Sequence, residues 1–221
     1  PADLVPGYGN PDLKEEWCVK YTLGTETALT ELISLDAQLF YKDMRNLVAR
    51  TATSVSGTGG ELGNQGKGRA YGLEVLLRHF PGKRLYGWIA YTLSRSERQD
   101  TPGAEYRLFS YDQTHILTLV ANYRLPRDWE TGLRFRYVTG NPTTPLMRGP
   151  YDSDRDRYLP ISGEENSQRM PSFNQLDVRI DKKFIYQTWI LEVYLDLLNA
   201  YNQRNVEGYI YNFDYTQRAP L

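Results

Sequence analysis

Trp129-Glu-Thr-Gly-Leu-Arg-Phe-Arg-Tyr137 is the stretch on which the fold turns. Its odd positions carry Trp129, Thr131, Leu133, Phe135 and Tyr137, and its even positions Glu130, Gly132, Arg134 and Arg136. Strict alternation predicts a β-strand, because successive side chains leave a strand on opposite sides. One side asks for an apolar surround with aromatics at its ends; the other asks for water or carboxylates. Sliding the phase by one would aim Arg134 and Arg136 at the oily side, at about 2–4 kcal/mol each near a bilayer midplane.

Working outward, the same alternation predicts seven more strands. The first sets Trp17, Val19, Tyr21 and Leu23 against Cys18, Lys20, Thr22 and Glu26. The second sets Ile33, Leu35, Ala37, Leu39 and Tyr41 against Ser34, Asp36, Gln38 and Lys42. The third opposes Tyr71, Leu73, Val75 and Leu77 to Gly72, Glu74 and Arg78. In the fourth, Leu85, Ile89, Tyr91 and Leu93 are expected outward and Trp88, Thr92 and Ser94 inward, although Trp88 and Ile89 compete for the apolar side. The fifth places Leu117, Leu119, Ala121 and Tyr123 opposite Thr118, Asn122 and Arg124, and Trp129–Tyr137 is the sixth. The seventh opposes Leu176, Val178, Ile180 and Phe184 to Gln175, Asp177, Arg179, Asp181 and Lys183. The eighth sets Trp189, Leu191, Val193, Leu195 and Leu197 against Glu192, Tyr194 and Asp196.

The connections alternate too. Short links are expected at Ala28–Glu31, Pro81–Arg84, Pro126–Asp128 and Tyr186–Thr188. Long, polar, Gly- and Pro-rich ones fill Asn46–Lys67, Arg98–Gln113, Asn141–Pro171 and the region after Asn202. Tight turns at one end and long loops at the other are the habit of an outer-membrane barrel, whose tilted strands need about 9–11 residues to cross. Phe80, Tyr123, Trp129, Phe184 and Trp189 flank the tight turns, while Tyr41, Tyr91, Tyr137 and Tyr201 lie toward the long loops. These are two candidate girdles for the membrane–water boundaries.

Composition permits this reading. The 221 residues hold 26 Lys and Arg against 27 Asp and Glu, so no global field points to nucleic acid. A mean hydropathy of -0.58 looks soluble, but barrels dilute their apolar positions with polar lumen residues and loops. Cys18 is the single cysteine, so no internal disulfide framework is possible. The chain opens on Pro1 without an initiating Met, and either a processed protein or an excised piece of a larger one is expected.

Several motifs, taken in order, resemble the TonB-dependent outer-membrane receptors. Gly9-Asn-Pro-Asp-Leu-Lys14 is similar to that family's "NPDLKPE" stretch, and Gly66-Lys-Gly-Arg-Ala-Tyr-Gly-Leu-Glu74 resembles its "GkarGlEl" strand. Tyr91-Thr-Leu-Ser94 stands where "YtyS" stands, Arg169–Arg179 resembles the entry to a late strand, and Leu195–Asn202 resembles "v.NlfN". The resemblance implies an all-β, antiparallel up-and-down transmembrane barrel, with about eight of some 22 strands present in residues 1–221. It further implies that the plug domain, the earlier strands and the final strand lie outside this chain, which ends on Ala219-Pro-Leu221. The implied function is energy-coupled uptake of a scarce solute such as a metal chelate, vitamin or glycan. The implied partners are outer-membrane lipid and lipopolysaccharide, the receptor's own plug and remaining strands, and the TonB complex. An integral place in the bacterial outer membrane follows.

Candidate site residues come from the inward set: Lys20, Asp36, Glu74, Arg78, Arg134, Arg136, Asp177, Arg179, Asp181, Glu192 and Asp196. They could hold a plug and offer solute a polar path, or merely pair across neighbouring strands. Arg134, Arg136, Asp177 and Arg179, on adjacent strands, are the foremost plug candidates. Asp152-Ser-Asp-Arg-Asp156 opens like a calcium loop, yet Arg157 and Gly163 stand where an EF-hand needs Gly and Glu. A looser cation site on Asp152, Asp154 and Asp156, or a solvated turn offset by Arg155 and Arg157, remains. Arg148, Tyr151, Tyr158, Tyr106, Tyr209, Tyr211 and Tyr215 could grip a ligand or rest on one another or on lipopolysaccharide. His79 is expected at an interface, His115 to pair locally, and Gly-rich Ser56–Gly60 to be a flexible loop. Neither an enzyme nor a cofactor is expected, since no nucleophile–base spacing, metal cluster, phosphate loop or nucleotide fingerprint occurs.

Two other architectures compete: a stand-alone eight-stranded barrel serving as anchor or adhesin, whose interior side chains can fill, and a soluble β-rich binding module.

Overall fold

The computed structural model describes residue 10, residues 12–50 and residues 62–221. The eight alternating stretches form eight strands: β1 (Trp17–Thr30), β2 (Ile33–Arg50), β3 (Leu62–His79), β4 (Leu85–Gln99), β5 (His115–Leu125), β6 (Trp129–Val138), β7 (Phe173–Ile185) and β8 (Ile190–Leu197). Each pairs antiparallel with the next, so one sheet meanders in chain order. Residues 107–108 add a short rung to β4.

The pairing carries one phase across the sheet. Leu39, Leu73 and Leu93 are partners on one face, as are Ile89, Leu119, Phe135 and Leu176. Arg78, Trp88, Val120, Arg134 and Asp177 share the other. That settles the fourth strand: Trp88 sits with the charges and Ile89 with the leucines.

Burial is inverted relative to a globular domain. Among the described residues Ala49 is the only buried hydrophobic side chain, whereas Glu97, Asp112, Asn166, Asp177 and Asp181 are buried. Leu23 is 73% exposed and Leu195 69% exposed, both on the apolar face. Such a surface rules out a water-soluble module and fits a hydrocarbon surround, where strands survive because their backbone groups pair with each other.

Three expectations need correction. β5 and β6 keep to the expected 9–11 residues, with 11 and 10, but five strands exceed it, β2 and β3 reaching 18 each, and β8 has only 8. Backbone pairing continues past any apolar band, because each added rung satisfies a donor and an acceptor. Asn46 takes a left-handed φ of 56° where β2 slips register against β3, a bulge an Asn tolerates. The first turn is also tighter than Ala28–Glu31: Thr30 pairs with Ile33, leaving only Glu31 and Leu32 in the link. Finally, the long segments are ordered ladders. Residues 142–143 pair with 168–169, 146–147 with 161–162, and 151–152 with 157–158. Arg218–Pro220, expected as a loop, pairs with Tyr209–Tyr211. The Ser56–Gly60 expectation lies outside the described residues.

β1 and β8 do not pair with each other among the described residues. An eight-stranded barrel closed on itself needs that pair, so the pairing does not favour the stand-alone barrel.

Candidate functional site

All eleven inward candidates occupy the charged face, because β-pairing leaves them in phase with one another. The densest cluster spans β6 to β8. Arg134 donates through Nε and Nη2 to Asp177 Oδ2 at 3.0 and 2.7 Å. The other carboxylate oxygen accepts from Gln175 Nε2 at 2.6 Å and from the Asn199 backbone N–H at 2.9 Å. Arg136 donates to Gln175 Oε1 at 3.1 Å and stacks 5.4 Å from the Phe173 ring, while its buried Nε has no hydrogen-bond partner. Arg179 grips Asp181 at 2.7 Å and Asp196 at 3.1 Å, over the Tyr194 ring at 3.9 Å. Lys183 approaches Glu192 at 3.8 Å.

The first strands are sparser. Arg78 reaches Glu26 at 3.9 Å, and Asp36 accepts from Gln38 at 3.4 Å. Glu74 lies beside Gln38 and Thr92, and Lys20 opposite Lys42. Sequence reasoning missed a third network here, in which Tyr86 donates to Glu130 and Arg124 lies 3.5 Å from the same carboxylate.

Six girdle candidates, Tyr41, Tyr91, Tyr123, Trp129, Tyr137 and Phe184, fall on the opposite face, and Phe80 and Trp189 lie just beyond strand ends. Tyr123 and Trp129 lie beside the Pro126–Asp128 turn, Phe184 beside the 186–189 turn, where Trp189 stacks on Tyr186 at 4.2 Å. Phe80 follows β3 and donates its N–H to the Leu32 carbonyl. Tyr41 stacks on Tyr71, 6.3 Å away. Tyr91 hydrogen-bonds His115 Nδ1 at 2.8 Å, in the row that holds Leu117 and Tyr137. His79 ends β3 with a buried, unpartnered Nδ1. Lys182, not singled out in the sequence, sits on the aromatic face: its ammonium donates to the Arg127 carbonyl and lies 5.2 Å from the Phe184 ring. A long side chain on an oily face reaches in this way for polar partners at its end.

At the other end of the strands, three long segments meet. Arg169 donates to the carbonyls of Asp112 and Gly140 and bonds the fully buried Asp112 carboxylate at 2.5 Å. Asn166 donates to Leu108 O at 2.8 Å, and Arg107 bridges to Glu165 at 3.1 Å. The segment after 202 joins through Phe213, edge-on to Tyr158 at 5.6 Å, and Asp214, 3.9 Å from Arg148. Arg148 also donates to the Tyr158 hydroxyl at 2.7 Å. Between them lies a cleft of about 530 Å³, walled by Arg157, Tyr158, Leu159, Tyr211, Phe213 and Tyr215. Of the loop aromatics expected to act together, Tyr151, Tyr158, Tyr211 and Tyr215 gather here. Tyr106 instead covers Arg69 and Tyr209 covers Arg218, each at 4.3 Å.

The calcium candidate is corrected. Asp152 lies opposite Arg157 in a tight hairpin, with Arg155 3.8 Å from its carboxylate, and Asp156 accepts from the Tyr151 hydroxyl. That bond raises the Tyr151 pKa. The three carboxylates do not converge, and among the described residues no group of three acidic, His or Cys side chains could hold a metal.

The family described as TonB dependent receptor-like, beta-barrel, matches residues 1–212. Among solved structures, the chain is similar to the FrpB iron transporter from Neisseria meningitidis, F3-3 variant: 18% identity and a TM-score of 0.61, over 96% of this chain and 30% of that one. The ferric-catecholate import receptor Fiu from E. coli K12 gives 18% and 0.63, over 96% and 27%. The ferripyoverdine receptor of the Pseudomonas aeruginosa outer membrane gives 13% and 0.61, over 94% and 26%. At these identities the likeness is one of fold, and the chain spans less than a third of each structure. No match was found among curated protein sequences.

Proposed function

The chain belongs to the TonB-dependent receptor-like β-barrel family of the bacterial outer membrane, and from that premise we propose that it supplies eight consecutive strands of a barrel importing a ferric chelate by TonB-coupled transport. The observation that carries this is the division of the sheet into one apolar face and one ion-paired face. A 22-strand-class barrel uses such a division to meet lipid outside and to seat a plug inside. In this reading the Arg134–Asp177 and Arg179–Asp181–Asp196 pairs face the plug, and the tyrosine-walled cleft with Arg157 in its wall lies outside the cell. The choice of a ferric chelate among scarce solutes is supported by the similar receptors, which are named for iron, ferric-catecholate and ferripyoverdine. A cationic, aromatic cleft also suits an anionic aryl chelate.

The receptor carrying Arg157→Gln with Tyr158→Ala, both in the cleft wall, is expected to take up radiolabelled ferric chelate at least about tenfold less well at limiting concentration, since a lost charge-assisted bond and stacking partner together exceed about 1.4 kcal/mol. Unchanged uptake of every ferric chelate tested, with normal uptake of another solute, overturns the chelate reading and leaves the barrel.

A further inference from the structure

The apolar face changes character just beyond Tyr41 and Tyr71, toward the long loops. The next paired positions are Asp43, Arg69 and Glu97, then Arg45, Lys67 and Gln99, with Arg95 beside Tyr71. Four cations thus meet two acids on a face that is otherwise oily. Glu97, only 3% exposed, accepts from Arg69 Nε on one oxygen at 2.5 Å and from Arg95 Nε on the other at 2.6 Å. One carboxylate therefore fixes two guanidiniums side by side. Their terminal nitrogens have no hydrogen-bond partner among the described residues, and the Arg69 guanidinium is further held 4.3 Å from the Tyr106 ring. Directly beneath them runs a groove of about 720 Å³, walled by Leu39, Tyr41, Tyr71, Leu73 and Leu93 and bounded by the same two arginines.

We propose that this groove with its arginine pair is a binding site for lipid A, the phosphorylated, multiply acylated sugar lipid of the outer leaflet. Two preorganised guanidiniums present four N–H-bearing terminal groups to a phosphate, the bidentate geometry for which Arg is suited. The leucine-lined groove takes an acyl chain below it, at the depth where headgroup meets hydrocarbon. Glu97 is a positioning residue: it spends one charge to aim two. The long-loop end of an outer-membrane barrel faces the outer leaflet, which is where lipid A resides, and a diacyl phospholipid such as phosphatidylglycerol brings one phosphate to the four cations where lipid A brings two. This inference rests on the proposed membrane-facing assignment and is independent of transport.

The test uses the whole receptor containing this chain, purified from outer membranes and exchanged into detergent with bisphosphorylated lipid A, dephosphorylated lipid A or phosphatidylglycerol, with bound lipid read by native mass spectrometry. Wild-type receptor is expected to retain bisphosphorylated lipid A, and Arg69→Gln with Arg95→Gln to weaken retention by about tenfold or more. Leu73→Trp, which fills the groove with an apolar side chain and leaves both arginines in place, is expected to do the same. Equal retention by the double variant, by dephosphorylated lipid A or by phosphatidylglycerol overturns the site. Should the double variant fail to show heat-modifiable folding, Leu73→Trp and the dephosphorylated lipid decide alone. A receptor that imports its chelate yet retains no lipid A refutes this inference without touching the transport reading.

Discussion

Asp177 illustrates how much a single inward carboxylate does. It is 7% exposed and receives Arg134, Gln175 and the Asn199 N–H. Asp177→Ala is expected to cost about 1–3 kcal/mol, since it strands a backbone donor and a guanidinium that is half open to solvent; urea unfolding in detergent micelles measures it. The two faces also tolerate charge differently. Leu119→Arg, among Ile89 and Phe135, is expected to destabilise by about 2–4 kcal/mol near the midplane. Thr92→Arg, beside Glu74, is expected to change stability by less than about 1 kcal/mol, because it gains a cross-strand partner. Equal losses for the two variants contradict the assignment of faces. The face of most residues was legible from alternation alone. Glu97, Arg69 and Arg95 were not recognised as a cluster, although the odd-numbered phase runs through Tyr91, Leu93, Arg95 and Glu97 without a break. Their charges mimicked the start of a loop. Lys182 was hidden because a cation between Asp181 and Lys183 reads as one more polar position.

At the scale of elements, the long loops were the least legible. Asp112 and Arg169 are 57 positions apart, and nothing local in either predicts their pairing. The short rungs between 142 and 169 have only two residues per strand, too few for any period to show. Yet these contacts tie the Arg98–Gln113 and Asn141–Pro171 segments together at their roots. Arg169→Ala is expected to strip the buried Asp112 carboxylate of its counter-charge, leaving it the Ser96 N–H and the Thr114 hydroxyl, at about 3 kcal/mol locally. Amide hydrogen exchange should accelerate in both segments at once; acceleration confined to 141–171 shows that they are not coupled. The hairpin Tyr209–Pro220 has its own pH response. Thr216 lowers the Asp214 pKa below its ordinary 3.8 by donating its hydroxyl and its N–H to the carboxylate. The order this adds is present above the unfolded value and fades as pH falls through the lower folded one. Side-chain NMR of Tyr211 and Tyr215 should therefore hold steady from neutrality to about pH 4, and change below it.

For the whole molecule, the order of strands was readable, because each alternating stretch had a short or long link to the next and a meander is the simplest path between them. What the sequence could not show is that β2 and β3 rise to 18 residues each, since loop-like composition continued while backbone pairing did. The sheet also ends bare on both sides, with every residue of β1 and β8 exposed. Refolded alone in detergent, residues 1–221 are expected to associate through these margins rather than close. Sedimentation of a monodisperse, heat-modifiable monomer would contradict this.

Those margins carry a further consequence for assembly. Each strand takes its phase from the one before, so an offset of a single residue where β1 or β8 meets its neighbour, with no bulge like that at Asn46 to take it up, is passed on along the whole strand. It would either break the ribbon or invert it, presenting eleven ionic groups to acyl chains in one step. Correct insertion is thus decided at two seams, and a fault there is all-or-none.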